Sequence, residues 1–190
     1  MGSWILSFIA SHLKREGYRC YGYDYPTRIR RMDHHGKELA DRLLLWPEKR
    51  FDVVTHSMGG LILREALSRA PEQQERIGRI VMIAPPNQGS DLARFWREKF
   101  PVAERLVVPL SDLSSESGSP VYELPNLPGE LEFGVLAAEN DHAVSEERTH
   151  LAGEREHRIL PGRHTSILFR KRTAETVGHF LRHGNFGIPG

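Results

Sequence analysis

Apolar residues recur along the chain with two different periods. Near its start, Trp4, Ile5, Phe8 and Ile9 return every three or four residues, which places them on one face of a helix. The same period predicts helices over residues 3–16, 33–46, 58–68, 91–99 and 173–181. Short apolar or aromatic runs predict strands over residues 18–23, 51–55, 79–84, 131–137 and 156–160. Because strands and helices alternate, the sequence predicts an α/β fold with a mostly parallel sheet and helices on both faces.

One segment, residues 101–129, interrupts this alternation. From Pro109 onward it is rich in serine, proline and glycine, which predicts an irregular conformation. We interpret the segment either as a lid over a binding site or as an irregular insertion. The total length suits one hydrophobic core, so residues 1–190 are expected to form a single domain.

Composition narrows the class of partner. The chain is 39% hydrophobic and 27% charged, which is typical of a folded globular protein. Its formal net charge of +1 provides no overall field that would attract nucleic acid, so no nucleic-acid partner is expected. The cluster of Arg28, Arg30 and Arg31 is interpreted as a solvated face.

The remaining compositional signals concern location and cofactors. A single cysteine, Cys20, excludes an intrachain disulfide and suits a reducing compartment. No apolar run approaches the roughly 18–20 residues that span a bilayer, and the first residues lack the features of a signal peptide. We therefore expect a cytoplasmic protein without a transmembrane segment. His34 and His35 have no third ligand at suitable spacing, so neither a metal site nor an organic cofactor is expected.

Ser57 stands where a short strand turns directly into a helix. The strand covers residues 51–55, and Ser57 is followed by Met58 and two glycines. A sharp strand-to-helix turn of this kind presents a nucleophilic serine, and the N–H of Met58 can donate to the oxyanion that forms on attack. The usual G-x-S-x-G pattern is met only in its second half, since Thr55 occupies the first glycine position. An ordinary serine N-cap is the alternative.

A nucleophilic serine needs a base and an acid that orients the base, and each follows a later predicted strand. Asp141 follows the strand over residues 131–137, and His164 follows the strand over residues 156–160. We therefore predict Ser57, Asp141 and His164 as the catalytic residues. The alternatives are His142 for the base and Glu139, Asp91 or Asp112 for the acid.

On these residues the chain resembles the α/β-hydrolase superfamily, in its lipase and esterase branch of triacylglycerol-lipase-like proteins. The resemblance extends over nearly the whole chain and lies mainly in residues 16–26, 54–60, 84–90, 140–141 and 164–165. It implies hydrolysis of a small-molecule or lipid ester through an acyl-enzyme on Ser57, and a role in lipid metabolism. His164 would serve as base and then as acid, with Asp141 orienting it.

The chain departs from this family at its start. Family members normally have, before the first helix, a strand that ends in a His-Gly motif and supplies an oxyanion donor. Here the sequence begins inside the corresponding loop, at Met1, which we interpret as an N-terminal truncation. The strands over residues 18–23 and 51–55 would then either pair directly or leave backbone groups unpaired. Two alternatives follow: an impaired hydrolase that acts as a binding protein, or an acyltransferase or thioesterase that uses the same three residues.

Overall fold

A parallel sheet of four strands forms the centre of the computed structural model, which describes residues 3–25, 32–89 and 124–187. The strands are β1 (Phe51–His56), β2 (Ile77–Ile83), β3 (Glu132–Ala138) and β4 (Glu156–Leu160). They lie in the order β1-β2-β3-β4, and each neighbouring pair is parallel. All four carboxyl ends therefore meet at one edge of the sheet, where ligands of open α/β sheets bind.

Helices connect and flank the strands. They are α1 (Ser7–Arg15), α2 (Met32–Leu44), α3 (Met58–Arg69), the short α4 (Glu146–Thr149) and α5 (Lys171–His183). Short 3-10 turns cover Ser3–Leu6, Pro71–Arg76 and Ser166–Phe169. Within the described ranges, no helix combines the length and apolar character needed to cross a membrane.

The two faces of the sheet are covered by different pairs of helices. On one face, Val81 and Ile83 of β2 pack in a cluster with Ile9 of α1 and with Val177 and Phe180 of α5. This cluster joins the start of the described chain to its end. The first and last helices therefore form one layer of the fold.

On the opposite face, Ile80 and Met82 of β2 pack with Leu63 and Leu67 of α3 and with Leu43 of α2. The four side chains from Ile80 to Ile83 alternate between the two faces, yet each is 0% exposed. Burial on both faces explains why this strand is continuously apolar instead of alternating. The predicted α/β fold, with a parallel sheet and helices on both faces, is confirmed.

Most predicted elements are present, with ends shifted by no more than two residues. The helix predicted over residues 3–16 is an exception, since it consists of the 3-10 turn Ser3–Leu6 followed by α1 (Ser7–Arg15). The predicted helix over residues 91–99 lies outside the described residues. So does most of the segment 101–129, of which only residues 124–129 are described. Those six residues contain neither helix nor strand.

The prediction of a strand over residues 18–23 is wrong. Residues 18–25 have no regular secondary structure, and within the described part of the chain β1 forms a ladder with β2 alone. An aromatic run becomes a strand only where its backbone groups find paired partners, and here no ladder receives it. Side chains hold the segment instead: the Tyr21 ring packs edge-on against Trp46, with ring centroids 5.2 Å apart. Of the two alternatives for this edge, direct pairing of residues 18–23 with β1 is not observed, and β1 is an edge strand of the described sheet.

Gly134 of β3 is so closely packed in the centre of the sheet that an added methyl group should destabilise the fold. A Cβ at this position would lie 2.5 Å from Cε2 of Phe180 and 2.6 Å from Cζ of Phe186. Both rings are buried in the core, so neither can move without displacing its neighbours. We expect Gly134→Ala to lower the free energy of unfolding by about 1–3 kcal/mol, as overpacking typically does. Urea unfolding measures this loss.

Gly129 offers a matched control, because a Cβ there would meet no atom within 4 Å. Gly129→Ala should leave the free energy of unfolding within about 0.5 kcal/mol of wild type. Equal stability of the two variants would contradict the packing argument.

Candidate active site

Ser57 occupies the turn between β1 and α3 in a backbone conformation that residues with side chains rarely adopt. Its φ is 53° and its ψ is −131°. The N–H of Ser57 donates to the carbonyl of Ile83 at 2.9 Å, and the carbonyl of Ser57 accepts from the N–H of Gly60 at 3.0 Å. A residue held in such a region costs about 1–3 kcal/mol and persists only where its surroundings fix it. The two hydrogen bonds, one of them to the buried strand β2, fix it here.

Small residues after Ser57 let α3 begin close to the sheet. A Cβ at Gly60 would lie 3.3 Å from Cβ of Pro85 and 3.5 Å from Oγ1 of Thr55. These distances leave little room for a side chain on the first turn of α3. The glycine therefore allows the tight strand-to-helix connection that places Ser57 at the carboxyl edge of the sheet.

Three side chains from three loops form a continuous hydrogen-bonded chain. Nε2 of His164 lies 2.9 Å from Oγ of Ser57, and Nδ1 of His164 lies 2.7 Å from Oδ2 of Asp141. A carboxylate only accepts hydrogen bonds, so Nδ1 carries the hydrogen and Nε2 can accept from the Ser57 hydroxyl. In the described part of the chain, the Ser57 side chain makes no capping hydrogen bond to α3. The geometry is that of a nucleophile, a base and an orienting acid.

The loops that carry Asp141 and His164 are hydrogen bonded to one another. The N–H of Glu139 donates to the carbonyl of Leu160 at 3.0 Å, and the N–H of Asn140 donates to the carbonyl of Gly162 at 2.9 Å. These bonds continue the pairing of β3 with β4 beyond the ends of both strands. The acid and the histidine therefore leave the sheet side by side.

Both carboxylate oxygens of Asp141 accept hydrogen bonds, although the side chain is only 1% exposed. Oδ1 accepts from the N–H groups of Ala143 and Val144 at 2.8 and 3.0 Å, and Oδ2 accepts from His164. Burial pushes the pKa of Asp141 upward, but the hydrogen bond and charge of His164 and the two backbone N–H groups outweigh it. The net pKa is lowered, so the carboxylate stays ionised.

His56, the last residue of β1, contacts the same histidine from the other side. Nε2 of His56 lies 2.9 Å from the backbone carbonyl oxygen of His164, and the two ring centroids are 4.9 Å apart. The residue is 3% exposed. Burial, followed by the charge of His164, lowers the pKa of His56 to about 4. His56 is therefore neutral at pH 7.

Ser57, His164 and Asp141 are hydrogen bonded to one another, whereas the alternative residues are placed differently. His142 and Glu139 are both exposed, and it is His164 whose ring reaches Ser57. The other alternative acids, Asp91 and Asp112, lie outside the described residues.

The sequence also predicts surface positions for His34, His35, His150, His157, His179 and His183, and for His35 this prediction is wrong. The polar surroundings of His35 in the sequence indicate a surface residue, but its side chain is 0% exposed. The ring packs against Tyr25, with centroids 5.3 Å apart. Tyr25 belongs to the irregular segment 18–25, which therefore contributes to covering the His35 ring.

A family model described as a domain of unknown function (DUF7379) matches residues 2–102. The chain belongs to the DUF7379 family. The matched region includes β1, the Ser57 turn and α3, and it ends before Asp141 and His164. The family assignment therefore contains the candidate nucleophile but not its proposed partners. No curated protein sequence matches the chain.

The structure of this chain is similar to solved structures of two lipases and a phospholipase. The mature lipase BlEst2 of Bacillus licheniformis superposes with a TM-score of 0.70 at 16% identity, over 97% of this chain and 88% of the lipase. Phospholipase PlaB of Legionella pneumophila gives 0.69 at 14% identity, over 95% and 56%. Lipase B of Aspergillus fumigatus gives 0.65 at 14% identity, over 82% and 43%. The chain thus spans less than half of the Aspergillus lipase, and the likeness establishes an α/β-hydrolase fold.

Arg64, on the helix that follows Ser57, is a buried charged residue that the sequence prediction missed. It lies on α3, is 4% exposed, and donates to the carbonyls of Leu124 and Pro125 at 2.7 and 3.1 Å. Burial lowers its pKa to about 10. Arg64 follows directly on the apolar run Leu61–Leu63 of α3, which was the available signal, since a buried arginine must find acceptors. Arg64 ties the helix after Ser57 to the segment that leads into β3.

The strain at Ser57 predicts a stability difference between two replacements in the DUF7379 chain. Glycine adopts positive φ without steric cost, whereas alanine does not. Ser57→Gly should therefore be more stable than Ser57→Ala by about 1 kcal/mol, measured by urea unfolding. Ser11, exposed in α1, provides the opposite control, because alanine is favoured over glycine in a helix by about 1 kcal/mol. The same order at both positions would contradict strain at Ser57.

The burial of His56 predicts a pH dependence of stability. The folded pKa of about 4 lies below the ordinary value of 6.5, so the unfolded chain binds the proton first as pH falls. The contribution of neutral His56 to the free energy of unfolding is fully present above about pH 6.5. It falls by about 3 kcal/mol as the pH is lowered to 4. His56→Gln should remove that part of the slope in urea unfolding at several pH values. Parallel curves for both proteins across this window would contradict the prediction.

Proposed function

We propose that this DUF7379 chain is a serine hydrolase that cleaves carboxylic esters through an acyl-enzyme on Ser57. The observation that carries the proposal is the hydrogen-bonded chain from Asp141 through His164 to Ser57, with distances of 2.7 and 2.9 Å. The α/β-hydrolase fold supports it, because the names of its structural neighbours describe lipases and a phospholipase.

The proposed reaction begins with a proton transfer. Nε2 of His164 takes the hydroxyl proton of Ser57 as Oγ attacks the ester carbonyl carbon. Asp141 stabilises the imidazolium that forms, and its lowered pKa keeps it ionised for this role. His164 then returns the proton to the departing alcohol, which leaves an acyl-enzyme on Ser57. A water molecule then attacks the acyl-enzyme, and His164 takes its proton and returns it to Oγ of Ser57. The carboxylic acid is released and the serine hydroxyl is restored.

The N–H of Met58 is the proposed oxyanion donor. Met58 is the first residue of α3, and the first N–H groups of a helix have no partner within the helix. The positive end of the helix dipole lies at the same place and favours a developing negative charge. Removing one such donor typically costs about 10²- to 10³-fold in rate. The proposed steps use three side chains and this N–H, and they require neither a metal nor an organic cofactor.

The proposed substrate is a small-molecule or lipid ester. The names of the structural neighbours, a lipase and a phospholipase, support this class. Water is the proposed acceptor of the acyl group. Transfer to an alcohol or a thiol is a distinguishable outcome of the test below, because the products differ.

A fluorophosphonate probe tests the proposal directly. We expect one adduct, on Ser57, located by mass spectrometry of the proteolysed protein. Turnover of p-nitrophenyl esters should fall by at least about 10³-fold in Ser57→Ala, because the attacking oxygen is removed.

Ser68→Ala is the matched control, since Ser68 is an exposed serine on the same helix and should leave labelling unchanged. Failure of the wild-type chain to react, where a known esterase does, would overturn the hydrolase proposal and favour a binding protein. Ester or thioester products in the presence of an added alcohol or thiol would favour a transferase.

A further inference from the structure

His56 joins the nucleophile turn to the backbone of the loop that carries His164. A carbonyl oxygen only accepts hydrogen bonds, so the 2.9 Å contact requires the hydrogen of His56 to be on Nε2. Nδ1 is then without a hydrogen. This atom is buried and has no hydrogen-bond partner among the described residues. The environment therefore selects one neutral tautomer.

The contact closes a ring of interactions around the site. His56 and Ser57 are consecutive residues. The side chain of His164 bonds to Ser57, and its main-chain carbonyl accepts from His56. His164 is thus held at two points, its ring by Ser57 and its carbonyl by His56, and both of these residues lie at the end of β1. The backbone of His164 is therefore held beside the same strand end that carries Ser57, the partner of its ring.

We propose that His56 is a positioning residue, which donates Nε2–H to the His164 carbonyl and thereby holds the His164 ring in line with Ser57 and Asp141. This inference rests on the proposed function, because positioning matters only if His164 moves protons. It goes beyond that function by adding a fourth residue on which the rate depends.

Neutrality suits His56 to this task. The titratable groups that face it are His164, with ring centroids 4.9 Å away, and Asp141. His164 becomes a cation during each proposed proton transfer, so a second cation at this distance would oppose it. Burial keeps His56 uncharged, in agreement with its lowered pKa. His56 can therefore hold the loop without competing for the proton.

Two replacements separate positioning from simple packing. Gln places an N–H donor near the position of Nε2, whereas Leu has similar bulk and no donor. We expect His56→Leu to lower kcat about 10- to 100-fold, since a buried carbonyl loses its partner and the His164 ring is no longer held in place. KM should change little because His56 is 3% exposed, so it offers little surface to a substrate and acts through His164. His56→Gln should recover most of the lost rate.

A spectroscopic measurement decides the inference independently of turnover. In protein with ¹⁵N-labelled histidine, wild type should show the Nε2–H tautomer for His56 and a low-field proton from the bond between His164 and Asp141. The low-field signal should persist in His56→Gln and should broaden or disappear in His56→Leu. If His56→Leu does not fold, His56→Asn replaces it, because its shorter amide does not reach the carbonyl.

The outcomes distinguish the two proposals. If wild type neither labels nor hydrolyses esters, the proposed function fails, and the proton signals still decide whether His56 fixes the His164 ring. If wild type is active and His56→Leu keeps its kcat and its low-field signal, the positioning role is overturned. Equal loss in the Gln and Leu variants would also overturn it, since packing alone would then account for the effect.

Discussion

The hydrogen bond between His164 and Ser57 joins residues that lie 107 positions apart, and the candidate site depends on it. Ser57 follows β1 and His164 follows β4, which are the two outer strands of the described sheet. The loop after β4 must therefore extend over the ends of β3 and β2 to reach the serine. Its attachments along that route, first to the loop after β3 and then to His56, support a contact that one hydrogen bond could not maintain alone.

Strain and rigidity coincide at this edge of the sheet. Ser57 has a φ of 53° and Ala84, which follows β2, has a φ of 46°. Each donates its backbone N–H into the sheet, to the carbonyls of Ile83 and Leu136 respectively. Residues 80–83 of β2 are buried on both faces of the sheet, so the strand provides a fixed support for both turns. A conformation that would relax on a flexible loop is retained here because the core does not yield.

Residues 18–23 are predicted as a strand but form none, because strand formation depends on a partner that the local sequence does not show. Local aromatic content at residues 18–23 favours a strand, but a strand also needs a partner backbone. Within the described chain, β1 pairs with β2 alone. The segment packs instead through its rings onto α2 and the residues after it, and it buries His35 from the side. Pairing is a property of two segments, and no local pattern reports it.

The sequence by itself determined the alternation of strands and helices, because apolar periodicity is local and each element of the described core needs an apolar face. It also determined that Ser57 stands in a strand-to-helix turn and that Asp141 and His164 each follow a strand. Only the tertiary structure decided that these loops converge, and that a neighbouring histidine, His56, turns toward the His164 carbonyl instead of toward solvent. Side-chain direction at a strand end depends on which loops cross it, and that information is spread over residues far apart in the chain.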